Sequence, residues 1–117
     1  MEHITPANGN PPIGPYTPGI KAGNMLFTSG QLGGTDPDIS VQAEAACKNV
    51  GAILEAAGFG FEDVVKTTCY LTDIKDFAAF NAVYAKFFCS KPARSCFAVK
   101  ELPVAGAKIE IEAVAVK

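Results

Sequence analysis

The sequence has no tryptophan, a single arginine (Arg94) and a single histidine, His3, in 117 residues. One imidazole at an N-terminus expected to be mobile removes histidine-based zinc sites, Ser-His-Asp triads and Cys-His dyads. Any acid–base chemistry then falls to carboxylate, phenol, thiol or amine groups. The four cysteines, Cys47, Cys69, Cys89 and Cys96, include no CxxC pair. They read as reduced thiols rather than a disulfide framework, and no metal site is expected. No apolar run approaches the about 20 residues of a spanning helix, and the start Met1-Glu2-His3-Ile4-Thr5-Pro6 lacks the segments of a secretory leader. A cytoplasmic protein without membrane contact is expected. Net charge −2, with scattered lysines, leaves no basic patch, so nucleic-acid binding is disfavoured.

What is present is apolar: 49 % of the chain is hydrophobic, with eight phenylalanines. The length fits one domain, residues 1–117, able to bury a core without staples. So much apolar sequence in so small a domain points to a second buried face, hence an oligomer.

Five prolines between Pro6 and Pro18, with Gly9, Gly14 and Gly19, predict a loop. Gly19–Ala22 and Met25–Ser29 around Gly23-Asn24 read as a hairpin. Ile39, Ala43, Ala46, Val50, Leu54 and Ala57 recur at helical steps after Asp38, the expected N-cap, and before Gly58, the expected stop. Val64–Leu71 reads as a strand, and a second helix follows Asp73 or Asp76. Its stripe Phe77, Phe80, Tyr84, Phe87 and Phe88 reads as core packing against a sheet. Ala93–Val99 and Lys108–Val116 complete an order ββαβαββ. This favours an α+β layer with two helices on one face of a mixed sheet, the other face being left for a neighbouring subunit.

Arg94 offers a planar fork of donors suited to a carboxylate, or to an internal ion pair. Cys96, two residues on, shares its strand face. Alternation over Lys108–Val116 puts Ile109, Ile111, Ala113 and Ala115 on one side, with Glu110 and Glu112 on the other. Those acids suit either a cleft or a charged edge that blocks aggregation. Ser29 and Gly30 offer a hydroxyl and a closely approachable N–H, or simply end a strand. Tyr16 is a phenol on a stiff loop, or a packing anchor.

Together, Ile13-Gly14-Pro15-Tyr16, Thr28-Ser29-Gly30-Gln31, Pro92-Ala93-Arg94-Ser95-Cys96 and Ile109-Glu110-Ile111-Glu112-Ala113 resemble the RidA group of the YjgF family, the reactive-intermediate (enamine/imine) deaminases. The resemblance spans essentially the whole chain. It implies a chorismate-mutase-like fold assembled as a homotrimer with intersubunit sites. It also implies cofactor-free hydrolysis of the imine tautomers of 2-aminoacrylate and 2-aminocrotonate, released by pyridoxal-phosphate-dependent dehydratases, to 2-oxo acids and ammonia. By the same resemblance Arg94 holds the substrate carboxylate, Glu110 positions water and handles protons, and Tyr16 orients water or substrate. Ser29 and Gly30 contact the ligand, Cys96 lines the pocket, and Asn81 faces the cleft. Gly33–Pro37 and Cys89–Lys91 look shorter than is usual in the family, so the departure bears on substrate breadth. Alternatives are a non-catalytic carboxylate-binding trimer, a stress-responsive interaction protein, and a ribonuclease or translation inhibitor.

Overall fold

In the computed structural model, which describes residues 1–7 and 11–117, two helices lie against a seven-stranded mixed sheet. The strands are β1 (Glu2–Ile4), β2 (Gly19–Ala22), β3 (Met25–Thr28), β4 (Gln31–Leu32), β5 (Val64–Leu71), β6 (Ala93–Ala98) and β7 (Ile109–Val116). The helices are α1 (Ile39–Ala56) and α2 (Phe77–Phe87). The sheet runs β1-β2-β3-β7-β5-β6, with β4 also on β7. Only β5 and β6 are parallel.

The expected hairpin, helices and strands are present, within a residue at most ends. Two short strands were not expected, so the order ββαβαββ is corrected. His3 is also not in a mobile terminus: Glu2, His3 and Ile4 pair with Lys21, Ile20 and Gly19, and Ile4 is buried. The loop expected over residues 6–19 holds from Pro11 to Pro18, whereas Gly9 lies outside the described residues.

α1 forms because its stripe has the helical period and both ends are capped. Asp38 accepts a hydrogen bond from the Ser40 N–H (2.9 Å), an N-cap of about 1 kcal/mol. At the other end Gly58 adopts φ +81°, and the N–H groups of Phe59 and Gly58 donate to the carbonyls of Leu54 and Glu55. This is a Schellman ending, with Leu54 and Phe59 both buried in the core. Asp73 caps only the short turn Ile74–Asp76, through the Lys75 N–H. Asp76 stands at the start of α2 without a side-chain bond.

Every residue of the α1 stripe is buried, as are Phe80, Tyr84 and Phe88. β7 is the central strand. Ile109, Ile111, Ala113 and Ala115 face the helices, while Glu110, Glu112, Val114 and Val116 are half-buried on the uncovered face. That face also exposes Phe27 and Phe97 to 42 % and 45 %.

The ladder beside β7 is interrupted between β3 and β4. There the Thr28 hydroxyl, rather than a backbone carbonyl, accepts the Ala113 N–H (3.0 Å), and the Ser29 N–H turns to the Pro18 carbonyl (2.8 Å). The opening left at Ser29-Gly30 is where Glu110 approaches. Gln42, fully buried, fixes this end of the sheet. Its amide donates to the carbonyls of Asp36 (2.7 Å) and Gly106 (3.0 Å), and its oxygen accepts the Lys108 N–H (2.8 Å).

Candidate functional site

The residues singled out in the sequence fall into two separate groups, one around Glu110 and one around Arg94, whose side chains leave the sheet on opposite faces. The first surrounds a cavity of about 470 Å3 between the proline-rich loop, the β3–β4 interruption, α1 and the start of β7, lined by Tyr16, Ser29, Gly30, Leu32, Ile53 and Glu110 among others. Tyr16 is held at its mouth by a turn, its N–H donating to the Gly14 carbonyl (2.9 Å) and its hydroxyl accepting the Ile13 N–H (3.2 Å). The Ser29 hydroxyl donates to the Thr17 carbonyl (2.6 Å). This bond ties the loop to the sheet and orients the oxygen, whose lone pairs can still accept.

Gly30 packs directly against the Glu110 carboxyl: a Cβ built at this position would sit 1.9 Å from Glu110 Oε1. Glycine is needed here for close approach rather than for an unusual backbone angle. Burial, and secondarily the charge of Glu112, push the Glu110 carboxyl above the usual range. A partly desolvated carboxyl with a raised pKa can take a proton from water and return it, as general acid–base chemistry near neutrality requires.

The second group lies at the outer strand β6, where Arg94 is level with Thr67 and, through it, with Ala113. Both of those face the helices, and so does Arg94. Its Nη1 donates to Asn81 Oδ1 (2.8 Å), and the guanidinium lies over the rings of Tyr84 (4.8 Å) and Phe77 (5.4 Å). The Tyr84 hydroxyl is hydrogen-bonded to Thr67 Oγ1 (2.7 Å), which fixes that ring. No carboxylate pairs with Arg94 among the described residues, so the internal ion pair left open by the sequence is not formed. One edge of the fork is anchored and its other donors remain for a ligand.

Cys96 is half-buried beside Arg94, and burial raises its thiol while the guanidinium opposes the shift. Cys47 and Cys69 lie deeper, pushed up to about 12 chiefly by burial. Low thiol reactivity follows.

Tyr16, Ser29, Gly30 and Glu110 are thus brought together, as are Arg94, Asn81 and Cys96, but the two groups do not meet within one chain. Sequence reasoning missed three participants. Phe77 and Tyr84 read as core, yet they also carry the guanidinium. Tyr70, which donates a hydrogen bond to Glu112, gave no signal beyond its place in a strand. Among the described residues no group of three or more His, Cys, Asp or Glu is placed to hold a metal ion. No helix there is long and apolar enough to cross a membrane.

Residues 7–117 match the family model described as Endoribonuclease L-PSP. The chain is 48 % identical over 125 residues to a RutC family protein of Pyrococcus horikoshii, covering 99 % of this chain and 98 % of that protein. It is 45 % identical over 124 residues to the 2-iminobutanoate/2-iminopropanoate deaminase of Escherichia coli, covering 97 % and 96 %. The fold superposes with a TM-score of 0.94 on the crystal structure of E. coli TdcF with bound serine, at 39 % identity and covering 100 % of this chain and 99 % of that one.

Proposed function

This chain belongs to the Endoribonuclease L-PSP family, the YjgF family, and from that premise we propose that it hydrolyses small 2-imino acids, the tautomers of 2-aminoacrylate and 2-aminocrotonate, to 2-oxo acids and ammonia. The observation that carries this reading is Glu110, a partly desolvated carboxyl with a raised pKa set against Gly30 at the cavity. The deaminase name borne by a relative 45 % identical supports the substrate class.

The chemistry asks little more of the site. The protonated imine carbon is already electrophilic, so positioning water and accommodating the tetrahedral intermediate supply most of the acceleration. Water adds to C2 as Glu110 takes its proton. That proton passes to the nitrogen; the C–N bond then breaks with its electron pair leaving on ammonia, while the hydroxyl gives its remaining proton to Glu110 and becomes the new C=O. Tyr16 orients the water or substrate, and Ser29 and Gly30 contact the ligand. No cofactor enters these steps, and pyridoxal-phosphate-dependent dehydratases working in the same cytoplasm would supply the imines.

Arg94, with Asn81 and Cys96 beside it, holds the substrate carboxylate. Because Arg94 and Glu110 stand on opposite faces, one substrate meets both only across a subunit boundary. The uncovered face with Phe27 and Phe97 suits the burial that a homotrimer provides. Nothing in the site favours RNA cleavage, and the net charge of −2 opposes polyanion binding.

The test traps imines, generated by an amino-acid oxidase or a threonine dehydratase, with semicarbazide. Wild type should lower trapping and speed 2-oxo acid release, whereas Arg94→Ala should match the protein-free reaction. Unchanged trapping with wild type across a range of imines would overturn the reading in favour of a carboxylate-binding trimer.

A further inference from the structure

We infer that Glu112, anchored by the hydroxyl of Tyr70, is a positioning residue that holds the Glu110 carboxyl against Gly30 in the pose from which it exchanges protons with water. This rests on the hydrolysis proposed above and deepens it by assigning the residues that govern its proton-handling group.

The geometry comes from one strand and its neighbour. Glu110 and Glu112 are two residues apart on β7, so their side chains share the uncovered face. Tyr70 on β5 is the direct partner of Glu110 in the ladder, and its side chain reaches diagonally to donate a hydrogen bond to Glu112 Oε1. The Tyr70 ring is itself fixed, edge-on to Phe97 with centroids 5.3 Å apart. Glu112 is therefore tethered rather than free to swing into solvent. Gly30, Tyr70, Glu101, Leu102, Glu110 and Glu112 line a shallow depression of about 210 Å3, and it shares Gly30 and Glu110 with the main cavity.

Gly30 packs against the Glu110 carboxyl, and Glu112, two residues along β7 on the same face, sets its tethered charge beside it. The titratable groups facing this region are Glu112 from β7, Tyr70 from β5, Glu101 from the connection after β6 and Tyr16 from the loop. No lysine or arginine is ion-paired with Glu110 among the described residues. The Glu112 charge adds to burial in raising the Glu110 carboxyl. The same hydrogen bond pushes the Tyr70 phenol up to about 12, so Tyr70 remains a donor throughout the physiological range.

The experiment titrates the carboxyl 13C signal of Glu110, identified by its loss in Glu110→Gln, in wild type, Glu112→Gln and Tyr70→Phe. The pH profile of kcat/KM for imine hydrolysis is measured in parallel, and thermal melts confirm that the variants fold. Removing the charge in Glu112→Gln should lower the Glu110 midpoint by roughly half a pH unit and move the acid limb of the profile down with it. Tyr70→Phe, which frees Glu112 without removing it, should give a smaller shift in the same direction. A Glu110 midpoint unmoved in Glu112→Gln overturns the inference, as does a moved midpoint with a stationary acid limb. If wild type hydrolyses no imine, the functional reading fails and this role falls with it. An active wild type with an unmoved midpoint defeats the positioning role alone.

Discussion

Arg94 and Glu110 project from opposite faces of the same sheet. Arg94 is level with Thr67 and lies over the α2 rings, whereas Glu110 is level with Tyr70 and packs on Gly30. The separation follows from the two-residue period of strands: in the shared ladder the two positions have opposite parity, and no side-chain rotamer carries a group through a sheet.

Two inactive variants should therefore restore each other. In the proposed trimer, mixed assemblies refolded from equal amounts of Arg94→Ala and Glu110→Gln should regain about a quarter of wild-type activity, because random assortment gives that share of clefts an intact arginine from one subunit and an intact glutamate from its neighbour. Activity at the level of either variant alone would mean that both groups act from one chain.

Two neighbouring glycines should respond differently to alanine. At Gly30 the new methyl would meet the flexible end of Glu110, whereas at Gly33 it would meet the Gln42 backbone carbonyl, 1.8 Å away. Gly30→Ala should displace the carboxyl and lower kcat with little change in Tm. Gly33→Ala should cost roughly 1–3 kcal/mol by overpacking α1. Urea unfolding of the two variants beside their kcat values checks the contrast.

Much of the fold was legible because its signals are periodic and local. The Ile39-to-Ala57 stripe, the Asp38 and Gly58 caps and the alternation along Ile109–Val116 each declare themselves within a few residues. The strand Glu2–Ile4 was not, since three residues carry no period and its pairing with Gly19–Lys21 crosses the proline-rich loop. Gln42 illustrates another limit. Its burial is tolerable only because backbone groups at Asp36, Gly106 and Lys108 satisfy it, and no local pattern encodes that. The motifs named Arg94 and Glu110 as candidates, but the side of the sheet each occupies depends on strand register. For the same reason the Tyr70–Glu112 bond, joining residues 42 apart, could not be read.

The aromatic cradle makes a claim about Arg94 that charge alone does not. Arg94→Lys keeps the positive charge but loses the planar stack on Tyr84 and Phe77 and the second donor of the fork. KM for the imine should rise roughly tenfold to a hundredfold, the loss of about 1.5–3 kcal/mol expected for a charge-assisted contact. Asn81→Ala, which releases one anchored edge of the guanidinium, should raise KM less. Kinetics of Arg94→Lys indistinguishable from wild type would remove the carboxylate-clamping role.

The buried thiols set an alkaline limit on stability. Cys47 and Cys69 have ordinary values of 9.0 and are pushed up to about 12 in the folded chain, mainly by burial. Between those values the unfolded chain has released protons that the folded chain still holds. The unfolded state is then the one that gains from rising pH, so these groups support the fold fully below pH 9 and lose that support as pH climbs towards 12. Each thiol should contribute up to about 1.4 kcal/mol per pH unit to the decline. Other groups titrate in the same range, so the informative quantity is a difference: Cys47→Ala with Cys69→Ala, though less stable at pH 7, should show a shallower fall of unfolding free energy with pH than wild type. Parallel slopes in urea titrations across this range would show that the two thiols ionise alike in the folded and unfolded chains.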